Sequence, residues 1–398
     1  TISKDLFKLL SYFSYTNILV ITYCKFEEDY RFSLITSKIN WISDQKVKKE
    51  FSNPKRLSFL LGPNSKIHTP TKQLIKRGKI IDFEDLKERF NIEVVNNEFF
   101  DHYKNLFLYL KKYLDEDKKF SQFAKKIELE TNFFAKKLLG QIIFCYFLQK
   151  KGWVGVDKNK NFGSGDQNFL RNQFIKYNHK KKNFFNDFLE FFFYEGLNNQ
   201  NENDFVKSIN TKVPYLGGGL FEYYDGYDWK KETLNIPNKT FSNKDKTGIL
   251  DIFDLYNFTV DESENSDIEI SIDPEMLGRV FENLLEENIR KEGGAFYTPR
   301  IIVNFMSQES ILSYLKNKFT KKINFENLVY FVKNENHDLS EKKDLIINAD
   351  LIDNYLADIK ICDPAIGSGA FAVSMMNLVV LLRLKLKIYV KRKYKNTS

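Results

Sequence analysis

A short segment in the last tenth of the sequence contains residues suited to binding a nucleotide-like ligand. It reads Ile359-Lys-Ile-Cys-Asp-Pro-Ala-Ile-Gly-Ser-Gly-Ala-Phe371, a β-branched run that ends in an aspartate, followed by a glycine turn and an apolar helix pattern. Glycines let the backbone approach a ligand, and the amide groups at the start of a helix face its negative part. Asp363 at the strand end can accept hydrogen bonds from a cationic amino group. The pattern therefore predicts a ligand site at this turn.

Three classes of ligand compete for the turn. A phosphate-binding P-loop requires a lysine after its last glycine, but an alanine follows Gly369. A dinucleotide fingerprint is formally satisfied by Gly367, Gly369 and Ala372, although that pattern is weak on its own. The Asp363-Pro364 pair directly before the turn instead agrees with the first motif of DNA adenine methyltransferases, Asp-Pro-Ala-x-Gly-Ser-Gly-Ala-Phe.

A second segment, Gly294-Ala-Phe-Tyr-Thr-Pro299, precedes an apolar run that begins at Ile301. Thr298 suits the N-cap of a helix and Pro299 suits its first position. Taken alone, the segment predicts only the start of a helix that faces the core.

Together the two segments resemble the γ-class DNA adenine-N6 methyltransferases of type IIG restriction–modification enzymes and related phage-defence methylases. In that class a Tyr-Thr-Pro motif precedes the Asp-Pro-x-x-Gly-Ser-Gly motif, and both line the S-adenosylmethionine pocket. The same order occurs here. The resemblance is strongest after residue 130 and also covers Leu138–Trp153, Pro214–Glu222 and Asp273–Leu285.

The resemblance implies S-adenosylmethionine as cofactor and double-stranded DNA as partner. It places around the cofactor Tyr297, Thr298, Pro299, Asp363, Pro364, Ala365, Gly367, Ser368 and Gly369. By that resemblance the Tyr-Thr-Pro residues would pack around the methionine part, Asp363 would bind its amino group directly or through water, and the glycines would give the backbone clearance. Adenine methylation uses no covalent cysteine, so we expect Cys362 to be a buried strand residue.

The catalytic motif of the class, Asn/Asp-Pro-Pro-Tyr/Phe, is absent because no two prolines are adjacent in the sequence. The motif holds the flipped adenine during methyl transfer. The acidic residue expected about 20 residues after the glycine turn is absent too, since no Asp or Glu follows Phe371. The sequence therefore predicts no catalytic residues in this chain.

We expect the N-terminal portion of a site-specific, adenine-specific DNA methyltransferase that does not methylate DNA alone, completed by its C-terminal half or by a companion subunit. Two alternatives stay open at this point. One is a non-catalytic DNA- or partner-binding product of a truncated or split gene. The other is a nicotinamide-dependent enzyme.

The elements that position these segments form three parts. Residues 1–115 are predicted to be a small α+β domain with strands at Asn17–Cys24, Tyr30–Thr36 and Arg56–Gly62. Residues 116–265 are predicted to be a mainly α-helical connector. Residues 266–398 are predicted to be the incomplete start of an α/β Rossmann-like methyltransferase domain, opened by a helix from Asp273.

Four finer predictions concern the connector. Phe133–Gln149 is apolar almost all round and predicts a buried helix. Phe184–Tyr194 predicts a second, aromatic helix. Residues 157–183, rich in Lys, Asn and Gln, are predicted to be a surface excursion, and residues 261–267 an acidic linker.

The composition excludes a disordered chain, since 42% of the 398 residues are hydrophobic, with 38 Phe and 21 Tyr. The net charge of +8 is compatible with a nucleic-acid partner, and equally with a lysine-rich composition. There is no signal peptide and no apolar run of about 18 residues, so we expect a cytoplasmic protein that does not enter a membrane.

Metal sites are not expected. The three cysteines are far apart, and the four histidines lack metal-ligand spacing: Cys24, Cys145, Cys362, His68, His102, His179 and His337. A nuclease site in residues 1–115 is not expected either. Asp29 with Lys38 lacks the second acid of such a site, and Asp85-Leu-Lys87 falls in a helical pattern.

Overall fold

The structure, a computed structural model, describes residues 12, 15–26, 28–37, 39–42, 48–51, 55–234, 236–259, 267–272, 298, 300–319, 322–334, 339–364, 366 and 369–390. The chain divides into two units, Thr1–Leu284 and Leu285–Ser398. The helix predicted from Asp273 lies outside the described residues. The domain boundaries at 115 and 265 remain predictions.

A four-stranded sheet opens the first unit. Its strands lie in the order β1 (Asn17–Tyr23), β2 (Tyr30–Thr36), β5 (Lys55–Leu61) and β8 (Asp267–Glu269). The first three are antiparallel, and β8 runs parallel to β5. Two further strands, β3 (Ile39–Ile42) and β4 (Lys48–Phe51), form a separate hairpin. The three predicted strands therefore agree with the structure, because alternating β-branched and aromatic residues fit a half-buried sheet.

Helices make up most of the rest of this unit. They are α1 (His68–Pro70), which continues into a π-helical segment Thr71–Lys76, α2 (Phe83–Arg89), α3 (Ile92–Glu116), α4 (Lys118–Lys126), α5 (Thr131–Lys150), α6 (Phe169–His179), the π-helical segments Phe185–Leu189 and Phe191–Leu197, α7 (Asn238–Phe241) and α8 (Ile249–Phe253). A short hairpin joins β6 (Phe205–Val206) to β7 (Thr211–Lys212). The fold is thus mixed and mostly helical.

The predicted buried helix of the connector is confirmed, since both faces of α5 are buried in a core rich in aromatic rings. The predicted surface excursion was wrong, since it contains α6, whose Phe169, Leu170 and Phe174 are buried. Of the predicted linker only Asp267 is described, and it is the first residue of β8. The other six residues of the linker lie outside the described residues.

The second unit contains five described helices. They are α9 (Arg300–Lys318), α10 (Phe325–Lys333), α11 (Lys343–Ile347), α12 (Ala349–Ala357) and α13 (Ala370–Leu386). Their shared core includes Ile311, Leu315, Phe331, Ile352 and Leu382. No helix among the described residues of either unit is long and apolar enough to cross a membrane.

The strand predicted at Ile359–Cys362 was wrong. These residues are irregular, and Cys362 is exposed where a buried residue was expected. A strand is stable only when its backbone groups pair with a neighbour. Across the described parts of residues 300–390 no strand is present to provide that pairing.

Candidate functional site

The glycine turn ends at Gly369, which caps the N-terminus of α13 in the left-handed conformation, with φ of +80°. Its N–H donates to the carbonyl of Ile366 at 2.7 Å, and its own carbonyl accepts from the N–H of Val373 at 2.9 Å. A Cβ built at this position would meet nothing within 4 Å. Glycine is therefore favoured here by the backbone conformation, and the space beside the turn is open.

The first turn of α13 supplies amide groups that have no partner within the helix. Such amides, with the helix dipole, favour an anionic group in front of them. The turn can therefore present N–H donors to a carboxylate or a hydroxyl group that occupies the open space.

A polar seam joins α13 to α9, the helix that follows the Tyr-Thr-Pro segment. The hydroxyl of Ser374 donates to Asn304 Oδ1 at 2.9 Å, and the hydroxyl of Ser307 donates to Ser374 Oγ at 3.1 Å. Asn304 and Ser374 are each the fifth residue of their helix, about 6 Å from its N-terminal end. The N-terminal ends of both helices therefore lie near this seam.

The predicted site residues fall into two groups. Thr298, Asp363 and Gly369 are half-buried, and Pro364 is exposed. The remaining five lie outside the described residues: Tyr297, Pro299, Ala365, Gly367 and Ser368. Thr298 stands two residues before α9 and Gly369 directly precedes α13, so these two described residues lie near the helix ends that the seam joins. That the other predicted site residues lie beside them stays a prediction.

Sequence reasoning missed the seam itself. Ser307 is buried, with 2% of its surface exposed, in a helix that otherwise buries apolar residues. The signal in the sequence is a small polar residue at a core-facing position of each helix. The two serines can be recognised as partners only once the two helices are known to be neighbours.

Charged residues hold the far end of α13 in place. Arg383 Nε donates to Asp353 Oδ1 of α12 at 2.7 Å. The ammonium group of buried Lys385 donates to the carbonyl of Phe331 at 3.1 Å, and to that of Asn334. Because buried charges are costly unless paired or hydrogen-bonded, these contacts fix the helix that carries the glycine turn.

Both helices at the seam also expose apolar side chains. On α9 these are Ile301, Ile302, Phe305 and Met306; on α13 they are Val373, Met376, Val380, Leu381 and Leu384. The exposed fraction reaches 79% at Ile301. Neighbouring apolar residues exposed in this way mark surfaces that contact another polypeptide or a ligand.

Asp29 and Asp85, the acidic residues considered for a nuclease site, have structural partners. Asp29 accepts hydrogen bonds from the N–H of Asn64 and the hydroxyl of Ser65, at 3.0 and 3.1 Å. The hydrogen bond from Arg89 and that from the backbone of Ile81 lower the pKa of Asp85. Among the described residues, no group of three or more His, Cys, Asp or Glu side chains could hold a metal ion.

Two of the four histidines join neighbouring elements in the same unit. His68 Nε2 lies 2.9 Å from Glu98 Oε1, and His102 Nδ1 lies 2.8 Å from the hydroxyl of Tyr256. Burial lowers the pKa of His102. Both histidines therefore take part in the packing between elements of the first unit.

Comparisons with known proteins add an independent finding. Over 286 residues the chain is 32% identical to a protein of Methanocaldococcus jannaschii named "Putative type II restriction enzyme and methyltransferase", a match that covers 66% of this chain and 22% of that protein. Over 221 residues it is 25% identical to "Probable aminopeptidase 1" of Saccharolobus solfataricus, covering 54% of this chain and 25% of that protein. No family model and no solved structure matches the chain.

The chain therefore spans about a fifth to a quarter of the length of these curated relatives. The similarity to a restriction–modification methyltransferase that the sequence motifs predict is confirmed at this level, since one relative is named for both activities.

Proposed function

We propose that the chain is the N-terminal portion of a site-specific DNA methyltransferase that transfers a methyl group from S-adenosylmethionine to adenine N6 in a restriction–modification or phage-defence system. The order of the two motifs and the similarity to the Methanocaldococcus jannaschii protein support this proposal. The observation that carries it is the turn at Gly369, which has a positive φ and no heavy atom within 4 Å of a Cβ built on it. Through Ser374 the helix after this turn is hydrogen-bonded to α9, which begins two residues after Thr298.

The described residues fit the proposed cofactor. S-adenosylmethionine supplies an activated methyl group and carries an amino group and a carboxylate. Asp363, half-buried and negatively charged, is suited to bind the amino group, and the amides at the start of α13 are suited to bind the carboxylate. Thr298 would line the other side of the pocket with Tyr297 and Pro299, while Gly367 and Gly369 would let the protein backbone approach the ligand closely.

The proposal also includes a Rossmann-like sheet, to which the described residues of the second unit contribute no strand. The exposed apolar faces of α9 and α13 are where such a sheet would pack, since helices in α/β domains bury one face against the strands. Ile359–Cys362 would become a strand on pairing with it. The Asn/Asp-Pro-Pro-Tyr/Phe motif would come from the same polypeptide or a companion subunit, so we propose that the chain alone does not methylate DNA.

Isothermal titration calorimetry on the full chain tests the cofactor assignment. We expect S-adenosylmethionine to bind and NAD not to bind. Asp363→Ala should weaken binding at least tenfold because it removes the partner of the amino group, whereas Asp358→Ala, an exposed aspartate five residues earlier, should not. Binding of NAD alone, or equal affinities in the two variants, would reject the proposed pocket.

A second pair of variants separates backbone strain from ligand binding. Gly369→Ala and Gly218→Ala each place a side chain at positive φ, +80° and +76°, with no steric contact within 4 Å. Both should cost about 1 kcal/mol of stability. Only Gly369→Ala should weaken cofactor binding, and the same weakening in Gly218→Ala would show a general effect of instability.

A further inference from the structure

One stretch of the first unit carries a large local excess of positive charge. Residues 150–182 contain nine Lys and Arg against two Asp, a net charge of +7, compared with +8 for all 398 residues. Two of the nine are paired, Lys160 with Asp157 and Arg171 with Asp251 and Asp254. No described carboxylate lies within ion-pairing distance of the other seven, Lys150, Lys151, Lys158, Lys176, Lys180, Lys181 and Lys182.

Part of this stretch forms, together with the β6–β7 hairpin, a row of lysines and aromatic rings. The ammonium group of Lys151 lies 4.8 Å from the ring centre of Trp153, whose ring lies 6.5 Å from that of Phe162. Lys212 lies 5.2 Å from the Phe162 ring and is paired across the β6–β7 hairpin with Phe205. The ammonium group of Lys158 lies 5.4 Å from the Phe205 ring. We call these six residues the lysine–aromatic row.

The backbone beneath the row is fixed by hydrogen bonds. Gly163 and Gly165 both donate to the carbonyl of Gly152, at 2.8 and 3.0 Å, and Lys212 donates to the carbonyl of Val156 at 2.9 Å. A Cβ on Gly152 would lie 2.6 Å from the carbonyl oxygen of Gly163. The loop therefore holds its lysines in defined positions, although its sequence is rich in Asn and Lys.

Lysines over ring faces lose less freedom when they bind a ligand than lysines free in solvent. The rings hold the ammonium groups by cation–π attraction, and Lys212 also donates to the carbonyl of Lys160 at 3.1 Å. An ammonium group has three N–H donors, so each lysine of the row keeps donors for a ligand. Asp157, the acid inside the loop, is already paired with Lys160. A partner with several regularly spaced negative charges is what such a surface fits.

We propose that the lysine–aromatic row binds the phosphate backbone of duplex DNA. The charge and the geometry of the row indicate a polyanionic partner independently of the proposed function. The choice of DNA among polyanions rests on the proposed function. Contacts of this kind position a protein on DNA without reading its sequence. The row would thus hold the substrate in the first unit, apart from the proposed cofactor pocket in the second.

Fluorescence anisotropy with a labelled 30-base-pair duplex tests this proposal without any cofactor. The triple variant Lys151→Gln, Lys158→Gln, Lys212→Gln removes the three charges of the row. Its control, Lys104→Gln, Lys118→Gln, Lys119→Gln, removes the same charge from exposed positions on α3 and α4. Circular dichroism checks that both fold, and the single variant Lys151→Gln provides a milder change.

We expect the row variant to bind at least tenfold more weakly. Its plot of log affinity against log salt should be shallower by about 0.9 for each DNA phosphate that the protein no longer neutralises. Lys151→Gln should reduce the slope by about one, and the control should behave like the unmodified chain. Equal weakening in row and control would show that only total charge matters and would overturn the proposal. Equal affinity for an RNA duplex of the same length would overturn the choice of DNA.

The two proposals fail separately. If calorimetry shows no S-adenosylmethionine binding while the row variant no longer binds DNA, the proposed function is rejected and the DNA surface stands. The reverse result rejects the surface alone.

Discussion

Glu190 is a carboxyl group buried in the aromatic core of the first unit, between two π-helical segments. Only 1% of its surface is exposed, and it accepts hydrogen bonds from the hydroxyl of Tyr227 and from Asn186 Nδ2, the latter at 2.8 Å. Burial raises the pKa of Glu190 to about 7, against the opposing effect of the two hydrogen bonds. A carboxyl group in this position affects how stability depends on pH.

Because the pKa in the folded protein lies above that of the unfolded chain, the contribution of Glu190 to stability is present below pH 4.5 and is lost as pH rises through about 7. The loss amounts to about 3 kcal/mol at pH 8. Glu190→Gln should therefore stabilise the protein at pH 8 and leave it nearly unchanged at pH 4.5.

Urea unfolding between pH 4.5 and pH 8 measures this effect. The exposed Glu202→Gln provides the control, and it should retain the pH dependence of the unmodified chain. If the free energy of unfolding of Glu190→Gln falls between pH 4.5 and pH 8 as steeply as that of the control, Glu190 is not the source of the pH dependence.

Single residues of the candidate site were predictable to different degrees. The turn at Gly369 could be predicted because its positive φ favours glycine, whereas the role of Asp363 in binding a ligand stays a prediction. Ser307 and Ser374 could not be predicted, since a serine inside an apolar helix says nothing about its partner on another helix. The exposure of Cys362 could not be predicted either, because it depends on whether a neighbouring strand is present.

At the level of elements, sequence pattern was sufficient where an element carries its own periodicity. The strands β1, β2 and β5 alternate in hydrophobicity, and α5 is apolar on all sides, so each was predicted close to its observed bounds. The three-residue strand β8 has no such pattern and is a strand because β5 offers it a parallel edge. The segment that forms α6 is rich in Asn and Lys, so its sequence did not indicate a helix. Its apolar residues are buried against aromatic neighbours, which could be seen only in the structure.

The seam between α9 and α13 gives a prediction at this level. Ser374→Ala removes both hydrogen bonds of its hydroxyl and leaves the buried Ser307 without that partner. We expect a loss of about 1–2 kcal/mol, seen as several-fold faster hydrogen exchange of amides in both helices. The exposed Ser310→Ala, which removes only a bond to the carbonyl of Met306 within α9, should change exchange much less. Equal exchange rates in the two variants would show that the seam does not join the helices.

For the whole molecule, the two units differ in how fully they bury their apolar residues. In the first, aromatic side chains from several helices enclose one another, as the stacked rings of Phe188 and Phe192 illustrate. In the second, α9 and α13 keep exposed apolar residues beside the seam. In the proposed function, these exposed apolar residues are the surface on which a Rossmann-like sheet would pack.

Photo-crosslinking with radiolabelled S-adenosylmethionine, followed by peptide mapping, shows which residues of the chain lie beside the cofactor. We expect label in two peptides of the second unit, one containing Thr298 and the other containing Asp363 and Gly369, and loss of both in Asp363→Ala. Label confined to the first unit, or label unchanged in that variant, would contradict the proposed pocket.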